Sequence, residues 1–283
     1  MHVTFWGVRG SIPTPGEDTR RWGGNSSCIE VRHGEHPPLV LDCGTGARKL
    51  GISLMGRSHR ALDLVFTHLH MDHVFGLPFF VPLYAPGFDV RITVPAFSAD
   101  EAREKLARYL NGVYHPTRIG DLPANVSFHP VRPGRPFQAG AFELTGISLN
   151  HPGGAIGYKV TVEGKTFAYI TDTAPFAKPG EGVAAGQPPP KSEQRIIDFL
   201  RGADLVVYDT MYDLEEYLER MTWGHSYPEY AAALCRAAEV DRLVLFHHLP
   251  DASDASLDDL EQRWSEHERP TVLVAKEGVT LDV

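Results

Sequence analysis

"FTHLHMDHVFG", residues 66–76, sets three histidines and an aspartate into the six positions 68–73, directly after the apolar run "LDLVF". A lone histidine beside a core strand is most often a packed or capping residue. Four ligand-type side chains at this spacing are different, because they lie where the chain leaves the core and can converge without breaking a ladder of backbone hydrogen bonds. Imidazole and carboxylate are borderline-hard donors that suit Zn²⁺, Mn²⁺ or Fe²⁺. His68, His70, Asp72 and His73 are therefore enough to begin two adjacent metal sites.

Outward from this stretch, short apolar and β-branched runs predict strands at 2–6, 28–31, 38–44, 62–68 and 90–96, followed by a helix over 99–111. "VSFHPV", "FELTGISLN", "AIGYKVTVE" and "KTFAYITDT" continue the strand pattern, the last two joined as a hairpin. Helices predicted at about 191–201, 212–221 and 226–239 then alternate with strands at 204–210 and 242–248. "SDASLDDLEQRWSEH" predicts a last helix with a Ser or Asp cap. The stretch 174–191, "APFAKPGEGVAAGQPPPK", is too rich in Pro and Gly for regular structure, and reads either as a passive loop or as a flap beside the site.

Three later strand ends repeat the grammar of the opening motif. "SLNHPGG" offers His151, "AYITDT" offers Asp172, and "LVLFHH" offers His247 or His248. Each apolar strand delivers one ligand at its carboxyl end, next to small or turn-forming residues, and this recurrence is what turns single histidines into a metal centre.

Bulk properties narrow the partners. The 283 residues are 42% hydrophobic with a net charge of −9, which gives no bulk electrostatic reason to coat nucleic acid or an anionic membrane, although a local cationic site still attracts phosphate. Cys28, Cys43 and Cys235 form no CxxC pattern, so neither a disulfide scaffold nor a thiolate zinc site is expected, and a reducing cytoplasm fits best. No segment approaches 18 uninterrupted apolar residues, so neither a secretion signal nor a membrane span is expected.

The order HxHxDH, then His151, Asp172 and His247, resembles the metallo-β-lactamase superfamily, with matching motifs from residue 5 to residue 248. That resemblance implies a single α/β domain over 1–283, a four-layer αββα sandwich of two mixed sheets, with a dimetal centre along one edge. It places His68, His70 and His151 on one ion and Asp72, His73 and His247 on the other, with Asp172 bridging; His247 is preferred to His248 because it follows "LVLF" directly. "GVRGSIP" (7–13), "GGNSSC" (23–28), "DCGTGAR" (42–48) and "GHSYPEYA" (224–231) are similar to signatures of the phosphodiesterase branch, which includes tRNA 3′-processing endonucleases and cyclic-phosphate phosphodiesterases. By that likeness His225 is the proton donor, at a helix start capped by Ser226, and joins Asp72 as a catalytic residue. Asp42 is expected to orient a metal-bound histidine from behind, and Arg9, Ser11 and Asn25 to line the cleft, Arg9 because its planar fork suits phosphate.

Two divalent ions, expected to be zinc with manganese or iron as alternatives, bring four positive charges; Asp72, Asp172 and a bridging hydroxide remove three, leaving roughly one to favour an anionic substrate. The expected reaction is attack of the shared hydroxide on phosphorus, in line with a leaving oxygen that His225 protonates. Only twenty residues separate His151 from Asp172, where tRNA endonucleases carry a long arm. With the acidic net charge, this favours a small or cyclic nucleotide phosphodiester over tRNA, and bulk nucleic-acid binding is not expected. Phe79, Phe80 or Tyr84 offers a ring to cover a base. Alternatives are a thioester or lactone hydrolase of the glyoxalase II type, a tRNA 3′-processing endonuclease and, less favoured with all seven ligand positions filled, a non-enzymatic ligand-binding relative. A homodimer is expected from the resemblance.

Overall fold

The computed structural model describes all of residues 1–283. The apolar runs become β1 (His2–Gly7), β2 (Cys28–Arg32), β3 (Leu39–Leu41), β4 (Ala61–Val65), β5 (Asp89–Pro95) and β6 (Asn125–Val131) in one sheet. β7 (Phe137–Ala139), β8 (Phe142–Ser148), β9 (Ile156–Val162), β10 (Lys165–Ile170), β11 (Leu205–Asp209), β12 (Arg242–Phe246) and β13 (Thr271–Val274) build the other, while β14 (Thr280–Asp282) returns to the first. The orders are β14-β1-β2-β3-β4-β5-β6 and β13-β12-β11-β10-β9-β8-β7. β3 to β6 run parallel, and so do β10 to β13. The remaining neighbours in each sheet are antiparallel.

Helices cover the outer faces. α1 (Ala47–Met55), the short α2 (Met71–Val74) and α3 (Ala99–Ala107) accompany the first sheet; α4 (Lys191–Leu200), α5 (Leu214–Glu219), α6 (Pro228–Ala237) and α7 (Asp254–Ser265) accompany the second. Between the sheets, Phe5, Val31 and Leu41 meet Tyr158, Phe167 and Phe246. Outside them, Leu50 and Leu106 pack on the first sheet, and Ile196, Leu234 and Trp264 on the second. Each fully buried Leu or Phe of this kind contributes roughly 1.5–3 kcal/mol. The result is the expected αββα sandwich of two mixed sheets. No helix is long and apolar enough to cross a membrane.

Several boundaries differ from the sequence expectation for local reasons. α5 starts at Leu214 because Asp213 and Glu216 form a reciprocal capping box, not at 212. α1 is hidden in the sequence by its glycines; Gly51 is required because a Cβ there would come within 3.0 Å of the Val81 backbone nitrogen. The 174–191 stretch is pinned to the loop after β8 and to the helices α4 and α6: Asn150 donates to the Pro175 carbonyl (2.8 Å), the Phe176 amide donates to the Tyr230 hydroxyl (2.9 Å), and the Val183 amide donates to Glu193 (3.0 Å).

Candidate metal centre

The parallel strands of both sheets point their carboxyl ends to one edge, and most of the chemistry-bearing side chains lie at or just past a strand end there. β4 leads to His68, His70 and the first turn of α2, which carries Asp72 and His73. β8 leads to His151, β10 to Asp172, β11 ends at Asp209, and β12 leads to His247. Asp42, Asp172 and His247 all have positive φ (59°, 51° and 66°), sharp exits from strands that non-glycine residues rarely make and that concentrate at functional sites.

These exits bring two groups together: His68, His70, His151 and Asp172, and Asp72, His73, Asp172 and His247, with all ligand atoms of a group within 4.8 Å of one another. Asp172 belongs to both. Its Oδ1 lies 3.1 Å from His73 Nε2, and its Oδ2 lies 3.3 Å from His247 Nε2, 3.6 Å from His68 Nε2 and 3.7 Å from His151 Nε2. The Nε2 atoms of His68, His73 and His247 are buried without a hydrogen-bond partner. Orphaned nitrogens of this kind are costly in a folded interior, and their convergence on a shared carboxylate fits a pair of divalent cations.

Other side chains fix the rings. Asp42 accepts hydrogen bonds from the Thr67 amide (2.8 Å), the Thr67 hydroxyl (2.9 Å), the Tyr169 hydroxyl (3.1 Å) and His73 Nδ1 (2.9 Å), so His73 turns Nε2 inward. His151 Nδ1 donates to the Gly224 carbonyl at 3.0 Å, and His247 Nδ1 lies 3.1 Å from the Ser27 hydroxyl. Gly10 must lack a side chain, because a Cβ there would sit 2.5 Å from the His247 ring. His248 faces away: its Nε2 donates to the Ala275 carbonyl at 2.8 Å, and burial pushes its pKa down to about 3.

The field at the centre calls for positive charge. Burial opposes ionisation of Asp72 and Asp172, yet the surrounding histidines hold both well below the usual carboxylate range. Burial likewise opposes a charge on His73, but Asp172, Asp72 and Asp42 outweigh it and raise its pKa well above the ordinary value. A divalent cation held there would answer the same field, with His73 then neutral.

His225 faces this centre from the loop before α6. Its ring stacks on His247 with centroids 5.2 Å apart, and its Nδ1 donates to Asp209 Oδ2 at 2.9 Å. Burial lowers its pKa, but Asp209 more than compensates and the value rises to about 9. Asp209 is held in turn by the Thr173 amide (2.9 Å) and the Met211 amide (3.1 Å). The sequence reading overlooked Asp209, although a strand-end aspartate is the very signal that identified Asp172. Ser226 does not cap α6: its hydroxyl is buried without a partner, and Tyr227 holds the N-cap position.

Of the three residues expected to line the cleft, only Ser11 does. Its amide donates to Asp72 Oδ2 at 2.8 Å, and it borders a recess of about 380 Å³ with His70, Met71, Tyr109, Asp172 and His225. Arg9 is buried instead, its guanidinium donating to the carbonyls of Gly23, Leu249 and Ala252, where it ties loops together and meets no cleft. Asn25 is occupied by Glu277, to which its side chain donates at 3.0 Å. Phe80 is buried, Tyr84 donates to the Pro78 carbonyl, and only Phe79 is exposed, edge-on to His115.

The sequence model of the beta-lactamase superfamily domain matches residues 39–248. The chain belongs to that superfamily. Among superfamily relatives, a Ribonuclease Z from Thermoplasma acidophilum is 26% identical across 94% of this chain and 92% of its own length. A Ribonuclease Z from Synechococcus sp. is 26% identical across 100% of this chain and 96% of its own. Among solved superfamily folds, the metallo-beta-lactamase fold protein YhfI from Bacillus subtilis has a TM-score of 0.70 at 18% identity, covering 99% of this chain and 98% of that one. The short form of human tRNase Z has a TM-score of 0.66 at 20% identity, covering 100% and 99%.

These relatives correct one expectation. The preference for a small phosphodiester partner over nucleic acid rested on the short interval between His151 and Asp172 and on the net charge of −9, whereas the relatives that match nearly the whole chain carry the name of a ribonuclease. Net charge was the wrong guide because binding is governed by the local field around a cleft, which bulk composition does not report.

Proposed function

We propose that this chain is a metal-dependent endoribonuclease that hydrolyses a phosphodiester of a tRNA precursor. The observation that carries this reading is the match to Ribonuclease Z over the full chain, which includes every strand end of the centre. His68, His70, His151 and Asp172 would hold one ion, and Asp72, His73, His247 and Asp172 the other. When bound, the two ions supply Lewis acidity at the phosphoryl group and lower the pKa of water.

The chain's own residues do the rest. Asp209 holds the Nδ1 proton of His225 and fixes the ring against His247, so that the opposite edge meets the recess lined by Ser11, Asp72 and Asp172. A proton passes from His225 to the oxygen that leaves phosphorus. The Ser11 amide keeps Asp72 aimed at the centre. His151 and Asp172 are joined through the β9–β10 hairpin alone, and the alignment with the Thermoplasma relative runs over 302 positions against a chain of 283, so that relative has segments without a counterpart here. Grip on RNA therefore falls to groups beside the cleft.

The test is His225→Ala with both metals loaded. Turnover of a tRNA precursor falls by about 10²–10⁴ while metal content holds. A fully loaded parent that leaves tRNA precursors intact but hydrolyses a glutathione thioester overturns the reading.

A further inference from the structure

Beyond His70 the cleft opens into a second recess of about 270 Å³, bounded by His70, Lys105, Arg108, Tyr109, Gly153 and Gly154. His70 and Tyr109 border both recesses, and the Tyr109 hydroxyl donates to the Leu69 carbonyl, which holds that ring as a shared wall. The far wall is the turn after His151, where Gly153 and Gly154 adopt φ of 82° and 84° and present only backbone. No carboxylate lines this second recess, in contrast to the first, which contains Asp72 and Asp172.

Its two cations are not equivalent. Lys105 Nζ donates to the Pro95 carbonyl at 2.8 Å and pairs with Glu101 at 2.8 Å, so its charge already has partners. Arg108, just past the end of α3, enters hydrogen bonds only through its backbone: its amide donates to Lys105 O and its carbonyl accepts from Asn111. Its guanidinium is exposed and free beside an acid-free recess, in a chain of net charge −9. A planar fork of donors so placed matches a phosphate diester, which it can bind through two parallel bonds.

Resting on the ribonuclease reading above, we infer that Arg108 determines specificity: it binds the phosphate of the nucleotide next to the scissile one, and so selects a polynucleotide over an isolated diester. A strand lying across His70 and Tyr109 puts one phosphate among the metal ligands and its neighbour against Arg108. Backbone phosphate contacts of this kind add affinity without reading bases and weaken with salt.

The experiment compares the metal-loaded parent with Arg108→Gln and Arg108→Lys on a tRNA precursor and on bis-p-nitrophenyl phosphate, which has no neighbouring phosphate. Arg108→Gln raises KM for the precursor about tenfold, as expected for loss of one charge-assisted contact, with a much smaller effect on kcat. The slope of log KM against log salt falls by about one. Its proportional loss on bis-p-nitrophenyl phosphate is several-fold smaller, and Arg108→Lys regains most of the precursor KM. Equal proportional losses on the two substrates, or an unchanged salt slope, overturn the role of Arg108 alone. A parent that cleaves bis-p-nitrophenyl phosphate but no RNA overturns the ribonuclease reading, and this inference with it.

Discussion

His73 and His247 have no surface in contact with solvent, and each is braced through Nδ1, by Asp42 and by the Ser27 hydroxyl. His70, three residues before His73, is exposed, and its ring has a single polar neighbour, His151 Nε2 at 3.0 Å. One short segment thus contributes to two halves of the centre, one closed around His73 and one that His70 opens toward both recesses. The comparison teaches that ligand identity and ligand support are separate properties. On the metal reading proposed above, the buried half is the one expected to keep an ion and the open half the one expected to let a substrate approach.

The largest effect that tests this contrast belongs to Asp172→Asn. Because Asp172 serves both halves, elemental analysis should show both ions lost, and turnover should fall on the order of 10³-fold or more. His70→Ala comes next. It should empty only the open half, taking the stoichiometry from two ions to one, and loss of both would erase the distinction between the halves. Asp42→Asn should be milder, weakening metal affinity about 10–100-fold, with the loss confined to the buried half in chelator competition. Equal weakening of both halves would mean that the support from Asp42 is shared.

The convergence of the strand-end histidines and aspartates was legible because each follows an apolar run, so position and chemistry coincide in the sequence. His247 stood apart from His248 for the same reason, and the second histidine turns out to bond to Ala275. Arg9 and Asn25 misled because residue type was visible and direction was not: a guanidinium suited to phosphate is here buried and turned to three backbone carbonyls through Nε and Nη1. Asp209 was missed since its partner His225 lies sixteen residues away and only tertiary folding brings them to 2.9 Å. Lys105 and Arg108 fall inside the helix expected over 99–111, and nothing in that pattern marks them out. Their place beside His70 depends on how α3 packs against β5 and β6, which local pattern does not encode.

Tyr169 on β10 of the second sheet donates to Asp42 after β3 of the first, and the ligands divide the same way: His68, His70, Asp72 and His73 from one sheet, His151, Asp172 and His247 from the other. The centre therefore acts as a clasp across the seam, and sliding one sheet over its neighbour must open it. Metal and sheet docking then reinforce each other: at free ion concentrations about a hundred times the dissociation constant, each ion adds about 2.7 kcal/mol against unfolding. Loaded protein should melt later than stripped protein even where neither turns over substrate.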